Sequence, residues 1–382
     1  MLYALVHETL GLRLFGYISF RVAMAVLTAF AFALVLGGPT IRWLVAHRVR
    51  ENVERTDAPE LAAHAKASGK SETPTMGGSF LVAAMILSMI LWARLDVGHV
   101  VLGILLVAGL AAVGFTDDYK KLTIPGCKGL SERAKMLGLT AVTLGVLAAF
   151  VWTAKITGRG TVLDLFPPFF KEAVVPLSTW GVLGIVVFLA FEWFVVVGSA
   201  NAVNITDGMD GLAAGCMVIS GTALLVFCYV TGRPDWTSYL NLPHVSGGSE
   251  MAVMGGALCG ACMGFLWFNA YPAQVFMGDS GSLPLGGAMA WMALVSKQEL
   301  VLPLIASVFV LDLGTSLLQR LYFQRTGGKR LFTLAPIHHG LERYGGVFKK
   351  RESGWHEVKV VVRFWILAAC GAMASLALLK VR

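Results

Sequence analysis

An all-α polytopic membrane fold with about ten transmembrane helices is predicted by three observations. The 382 residues are 56% hydrophobic and only 14% charged, whereas a soluble chain carries about 25% charged residues. The apolar residues come in blocks of about 20, enough for a helix to cross a hydrocarbon core about 30 Å thick. The Lys and Arg residues behind the net charge of +8 sit mainly between those blocks, where topology places them. The bilayer is then the solvent that organises the chain, as one integral-membrane domain over 1–382. That location of the charge also argues against nucleic acid as a partner.

Ten candidate spans follow in order, at roughly 20–45, 79–95, 98–115, 135–154, 178–199, 211–231, 250–268, 281–296, 299–323 and 360–380. No internal repeat relates them. Their connections fall into two alternating sets. One set, 46–78, 116–134, 200–210, 269–280 and 324–359, gathers the basic residues, among them Arg48, Arg50, Lys120, Lys121, Arg133, Lys329 and Arg330. The other set, 95–97, 155–177, 232–249 and 297–298, is sparse, holding Lys155, Arg159, Lys171, Arg233 and Lys297. The basic excess marks the first set as cytoplasmic. An even number of spans then puts both termini on the periplasmic side. The first 20 residues carry Glu8 and Arg13 and lack a basic stretch before an apolar run, so no signal peptide is expected. Cys259 and Cys262 share a Gly/Ala-rich segment, MGGALCGACMGF. That spacing reads as a helix–helix contact rather than zinc or redox chemistry.

Acidic and polar residues crowd the cytoplasmic ends of these spans. Asp117, Asp118, Lys120 and Lys121 follow the third span. Asn201, Asn204, Asp207, Gly208, Met209, Asp210 and Gly211 join the fifth to the sixth. Asn269, Phe276, Gly278, Asp279, Ser280 and Gly281 join the seventh to the eighth, and Pro336, His338, His339, Gly340 and Glu342 the ninth to the tenth. Lys70 and Thr73-Pro-Thr-Met-Gly-Gly78 precede the second. A single Asp at such a helix end is ordinarily a solvated terminus or an N-cap. Four such clusters on one side point to function, because carboxylates beside apolar spans are costly.

The chemistry that fits is divalent-metal phosphoryl transfer. Mg²⁺ takes oxygen ligands, usually one or two carboxylates with substrate phosphates and water. Asp117, Asp118 and Asp279 are candidates to supply them. The sixth and eighth spans both begin on the cytoplasmic side, so their free N–H groups suit a pyrophosphate. Glycines at 208, 211, 278 and 281 let backbone come close. Asn204, Asp207 and Asp210 share a face if helical. Adjacent His338 and His339 diverge by about 100° on a helix, which makes them poor joint metal ligands. Contact of one of them with a substrate phosphate or carboxylate fits better. No P-loop, dinucleotide-binding or HExxH pattern occurs.

The segments TPTMGG (73–78), DDYKK (117–121), NAVNITDGMDGLA (201–213), FNAYPAQVFMGDSGSL (268–283) and APIHHGLE (335–342) together resemble the polyprenyl-phosphate N-acetylhexosamine-1-phosphate transferases. They run in family order across most of the chain. The set is most similar to the branch that transfers phospho-MurNAc-pentapeptide from UDP-MurNAc-pentapeptide to undecaprenyl phosphate, releasing UMP with Mg²⁺. That reaction forms lipid I for peptidoglycan. The resemblance implies a bacterial inner-membrane enzyme, working as a homodimer. It implies Asp117, Asp118, Asp279 and His338 as catalytic residues, with Asp279 and Asp118 on the metal and Asp117 as base or lipid-phosphate orienter. It implies Lys70, Lys121, Lys135, Asn204, Asp207, Gly208, Met209, Asp210, Asn269, Phe276 and His339 as substrate-binding, with Phe276 stacked on uracil. Two departures stand out. Gly340 replaces the family's usual third histidine, and Asp312-Leu313 replaces a usual Glu-Thr pair in the ninth span. Asp312 is then a polar contact of the bundle or part of the lipid groove. Three other functions compete. Transfer of GlcNAc-1-phosphate to the same lipid is the nearest one. A secondary transporter is the second, though it calls for mid-membrane charges in repeated halves. A structural membrane scaffold is the third.

Overall fold

The computed structural model describes residues 1–9, 11–47, 73–124, 127, 129–158, 160–170, 175–351 and 353–380. Lys70 lies outside the described residues. Among those described the chain is helical with no strand, and Leu165 and Val175 form an isolated bridge. We label the main helices α1 (Ile18–Ala46), α2 (Gly78–Trp92), α3 (Gly98–Thr123), α4 (Glu132–Ile156), α5 (Gly181–Thr206), α6 (Leu212–Thr231), α7 (Glu250–Asn269), α8 (Asp279–Ser296), α9 (Ser307–Arg325), α10 (Ile337–Tyr344) and α11 (Glu357–Ala377). Every expected apolar block is mainly helix, because backbone in lipid must pair its own N–H and C=O groups within the segment.

Seven of these helices, α1, α3, α4, α5, α6, α7 and α11, are long and apolar enough to cross a membrane. The other three expected spans differ for physical reasons. Helix α2 has 15 residues. The 299–323 block breaks at Ala306, into the short helix Leu302–Ile305 and α9. Helix α8 has 18 residues and is buried along its whole length. It packs against α3, α5, α6 and α2. A helix enclosed by other helices has no lipid to face, so small residues such as Gly286, Gly287 and Ala288 replace large apolar ones.

Small residues also set the close packing of α1 on α7. Ala25, Ala29 and Ala33 of α1 are fully buried. Opposite them, a Cβ on Gly260 would lie 2.2 Å from the Val26 carbonyl oxygen, and one on Gly264 would lie 2.5 Å from the Ala33 Cβ. Cys259 and Cys262 are buried free thiols in this same helix. Their small-residue packing role agrees with the sequence reading.

Buried charges are more numerous than Asp312 alone. Arg21 pairs with Glu250 at 2.6 Å, with both side chains almost fully enclosed. Glu192 is fully buried within α5. A buried pair of this kind fixes how helices meet, because removing one partner leaves an uncompensated charge.

Gly260→Val is expected to lower stability by about 1–3 kcal/mol through overpacking, read as a lower melting temperature in detergent. Gly145→Ala, in α4 with nothing within 4 Å of the added Cβ, is expected to leave that temperature unchanged or slightly raised.

Candidate active site

Asp117 and Asp118 lie near the C-terminal end of α3, and Asp279 opens α8. Asp118 accepts from the backbone N–H of Ser280 at 2.9 Å and of Asp279 at 3.3 Å. It therefore caps the α8 N-terminus, where negative charge is favoured. The approach depends on glycine. Gly278 has φ 71°, and a Cβ there would sit 2.7 Å from Asp118 Oδ2. A Cβ on Gly114 would sit 2.1 Å from the Asp279 carbonyl oxygen. The TPTMGG segment holds the same corner from the other side. Gly77 N–H donates to Phe276 O and Gly78 N–H to Met277 O, each at 2.8 Å, and Phe276 N–H donates to Pro74 O at 2.8 Å.

Two lysines and an asparagine surround the acids. Lys135 Nζ reaches Asp279 Oδ2 at 2.6 Å, and Lys121 Nζ reaches the same oxygen at 3.5 Å. Lys121 also pairs with Asp117 Oδ2 at 2.6 Å and stands 3.7 Å from Asp118 Oδ1. Asn204 of α5 donates to Asp279 Oδ1 at 2.6 Å and to Ser282 Oγ at 2.9 Å. Asp117 Oδ1 accepts from Leu130 N–H at 2.7 Å. All three carboxylates are buried, while Lys121 keeps 36% of its side chain exposed, so the cluster opens to one side. One oxygen from each acid lies within 4.8 Å of the others. Mg²⁺ takes its oxygen ligands at about 2.0–2.1 Å, so side-chain rotation would bring this set onto one ion. The all-oxygen donor set fits Mg²⁺.

The second part of the site lies beyond the end of α5. His338 Nδ1 is 2.8 Å from Asp312 Oδ2, with both side chains fully buried. His339 Nδ1 lies 3.5 Å from Glu342 Oε2. Burial first, and the neighbouring His338 second, hold the His339 imidazole below its ordinary pKa, so it is neutral at pH 7. The two imidazole centroids are 4.3 Å apart. A Cβ on Gly208 would lie 2.8 Å from His338 Nε2 and 3.0 Å from His339 Nε2. The adjacent histidines therefore converge on one turn, although their helical positions alone imply divergence.

A family model described as glycosyl transferase family 4 matches residues 100–297. The phospho-N-acetylmuramoyl-pentapeptide-transferase of Thermodesulfovibrio yellowstonii is 40% identical over 382 residues, covering all of this chain and 99% of the relative. The protein of the same name from Neisseria gonorrhoeae is 41% identical over 374 residues, covering 97% and 96%. The chain belongs to this transferase family. The resemblance read from its motifs is thereby shown.

Within the family site, the structure sorts the sequence-derived residues. Asp117, Asp118, Asp279, Lys121, Lys135 and Asn204 form one cluster, and Gly208, His338 and His339 another. Two residues hold backbone. Asn269 accepts from Gly211 N–H and donates to Val275 O, each at 2.9 Å. Asp210 Oδ2 accepts from Ala273 N–H at 3.0 Å. Met209 is buried. Phe276 is half-buried beside the α8 corner. Helix α5 stops at Thr206, so Asn204, Asp207 and Asp210 do not share a helical face. The N-terminus of α8 is not open to a pyrophosphate. Asp118 takes the first N–H groups of α8, and Asn269 takes the Gly211 N–H before α6. Sequence reasoning missed Ser282 and Leu130, which no motif spacing singles out, and Glu357, which accepts from Asp210 N–H at 2.9 Å.

Asp118→Ala is expected to lower stability by about 1 kcal/mol, as for a lost N-cap, and to lower turnover as well. Asp279→Asn leaves that cap in place and is expected to lower turnover alone. Thermal unfolding measured beside activity separates the two.

Proposed function

We propose that this chain transfers phospho-MurNAc-pentapeptide from UDP-MurNAc-pentapeptide to undecaprenyl phosphate in the bacterial inner membrane, giving lipid I and UMP. The observation that carries the reading is the meeting of Asp117, Asp118 and Asp279 within 4.8 Å. It stands in a chain 40% identical over its full length to a phospho-N-acetylmuramoyl-pentapeptide-transferase. Three carboxylates against the ammonium groups of Lys121 and Lys135 leave one formal negative charge. That excess favours a cation at this place.

Asp279 and Asp118 are the residues that would hold Mg²⁺, with Asp117 beside them. Bound Mg²⁺ would neutralise charge on the diphosphate. The chain's own groups do the rest. Asp117 takes the proton of the lipid phosphate. That phosphate oxygen attacks the sugar-linked phosphorus, the phosphorus–oxygen bond to UMP breaks, and UMP leaves. Lys121 and Lys135 supply positive charge at the phosphates, and Asn204 fixes the Asp279 carboxylate. Gly208, His338 and His339 meet the nucleotide sugar at the turn after α5, and Phe276 stacks on uracil. Lys70, Asp207, Met209, Asp210 and Asn269 complete the pocket, the last two by shaping its loops. Catalysis then rests on positioning and electrostatic stabilisation.

In this reading the single domain spans the bilayer ten times, with both termini periplasmic and the carboxylate cluster at the cytoplasmic face. The basic excess of the loops on that side supports the orientation. A homodimer follows from the family resemblance.

Purified protein is expected to release UMP from UDP-MurNAc-pentapeptide only when undecaprenyl phosphate and Mg²⁺ are both present. Turnover of UDP-GlcNAc instead would move the assignment to the related GlcNAc-1-phosphate transfer. UMP release that needs no Mg²⁺ would contradict the metal role. Asp279→Asn is expected to reduce Mg²⁺-dependent turnover at least ~10²–10³-fold. A radiolabelled phospho-sugar trapped on the protein without lipid acceptor would replace the one-step route with a covalent one.

A further inference from the structure

We infer that Asp312 is a positioning residue that acts on the substrate through His338. The inference rests on the transfer reaction proposed above. Asp312 Oδ2 is 2.8 Å from His338 Nδ1, and both side chains are fully enclosed. A carboxylate accepts, so Nδ1–H is the donor. Asp312 Oδ1 has no hydrogen-bond partner among the described residues, so the side chain of Asp312 serves the imidazole alone. His338 Nε2 is likewise buried without a partner among the described residues. It faces the turn after α5, where a Cβ on Gly208 would sit 2.8 Å away. A buried polar atom without a partner is costly, and here it is aimed at the one corner both histidines reach.

The partner assigned to Nε2 is a phosphoryl oxygen of the nucleotide sugar. Toward such an oxygen Nε2 must donate, while Nδ1–H donates to Asp312 on the other side of the ring. The Asp312 carboxylate fixes the ring's orientation, as carboxylates behind functional histidines do. The two helices that meet are α9, carrying Asp312, and α10, carrying His338. A side chain at position 208 would press on both imidazoles, so only glycine lets the turn and the histidines meet.

The titratable groups around the imidazole come from several elements. His339 and Glu342 share its helix. Cys216 of α6 lies near Asp312. Asp207 and Asp210 flank the Gly208 turn, and Glu357 of α11 accepts from the Asp210 backbone. The aromatic Phe364 closes the side from α11. Of these groups, only Asp312 is hydrogen-bonded to His338 itself.

The test measures kcat and KM for UDP-MurNAc-pentapeptide on the full chain, with thermal unfolding to show that each variant is folded. Asp312→Asn is expected to lower kcat roughly 10- to 100-fold with little change in KM. Asp312→Glu is expected to restore kcat. On a His338→Ala background, Asp312→Asn is expected to add nothing. A rise in KM in place of the fall in kcat, or an additive double variant, would overturn the inference and leave Asp312 as packing. If Asp312→Asn does not fold, a folded Asp312→Glu that has lost activity would overturn it equally. Full activity in His338→Ala removes the histidine from the reaction, and this inference with it. Failure of the wild-type chain to release UMP tells against the proposed function itself.

Discussion

Three carboxylates held within one ion's reach are the constraint on which the rest of this molecule depends. Like charges brought this close repel, so the fold must supply compensation at the same place. It does so with Lys121 and Lys135 and with the N–H groups that open α8. These groups come from helices far apart in sequence. Asp118 and Lys121 belong to α3, Lys135 to α4, Asn204 to α5 and Asp279 to α8. Bringing them together requires α3, α5 and α8 to pack closely. That requirement explains the small residues at Gly114, Gly278, Gly286 and Gly287, where side chains would separate the helices.

The same logic reaches the histidines. Asn204 sits in the last turn of α5 and binds Asp279, and α5 ends two residues later in the turn that carries Gly208. The carboxylate cluster and the histidine pair are thus attached to two ends of one short stretch. A substrate with a diphosphate and a long sugar-peptide portion presents groups to both. The buried Asp312–His338 pair then extends this polar network into the bundle, where an ionisable group persists only when paired.

Much of the fold was legible in the sequence because the bilayer leaves few options. Apolar blocks of about 20 residues must be helices in lipid. The length of α2 and the break at Ala306 were not legible, since tertiary packing decides where a block of apolar residues stops being helix. The full burial of α8 was also hidden, because a helix hydrophobic all round gives no directional pattern. At the site, Asp117, Asp118 and Asp279 were readable as a group because acids beside apolar spans are costly. The roles of Asn269 and Asp210 were not. A motif shows that a polar residue is present, but only the fold shows that its atoms are already bonded to Gly211, Val275 and Ala273. The open N-terminus expected at α8 for a pyrophosphate met the same fate, filled by Asp118. Lys135 as a direct partner of Asp279 was beyond reach because 144 residues separate them.

The central claim is that the three acids form one divalent-cation site. Titration of the purified chain with Mn²⁺, followed by electron paramagnetic resonance, tests it most directly. One bound Mn²⁺ is expected in the wild-type protein, displaced by Mg²⁺ and lost in Asp279→Asn. Binding of the same stoichiometry and spectrum in Asp279→Asn would contradict the account.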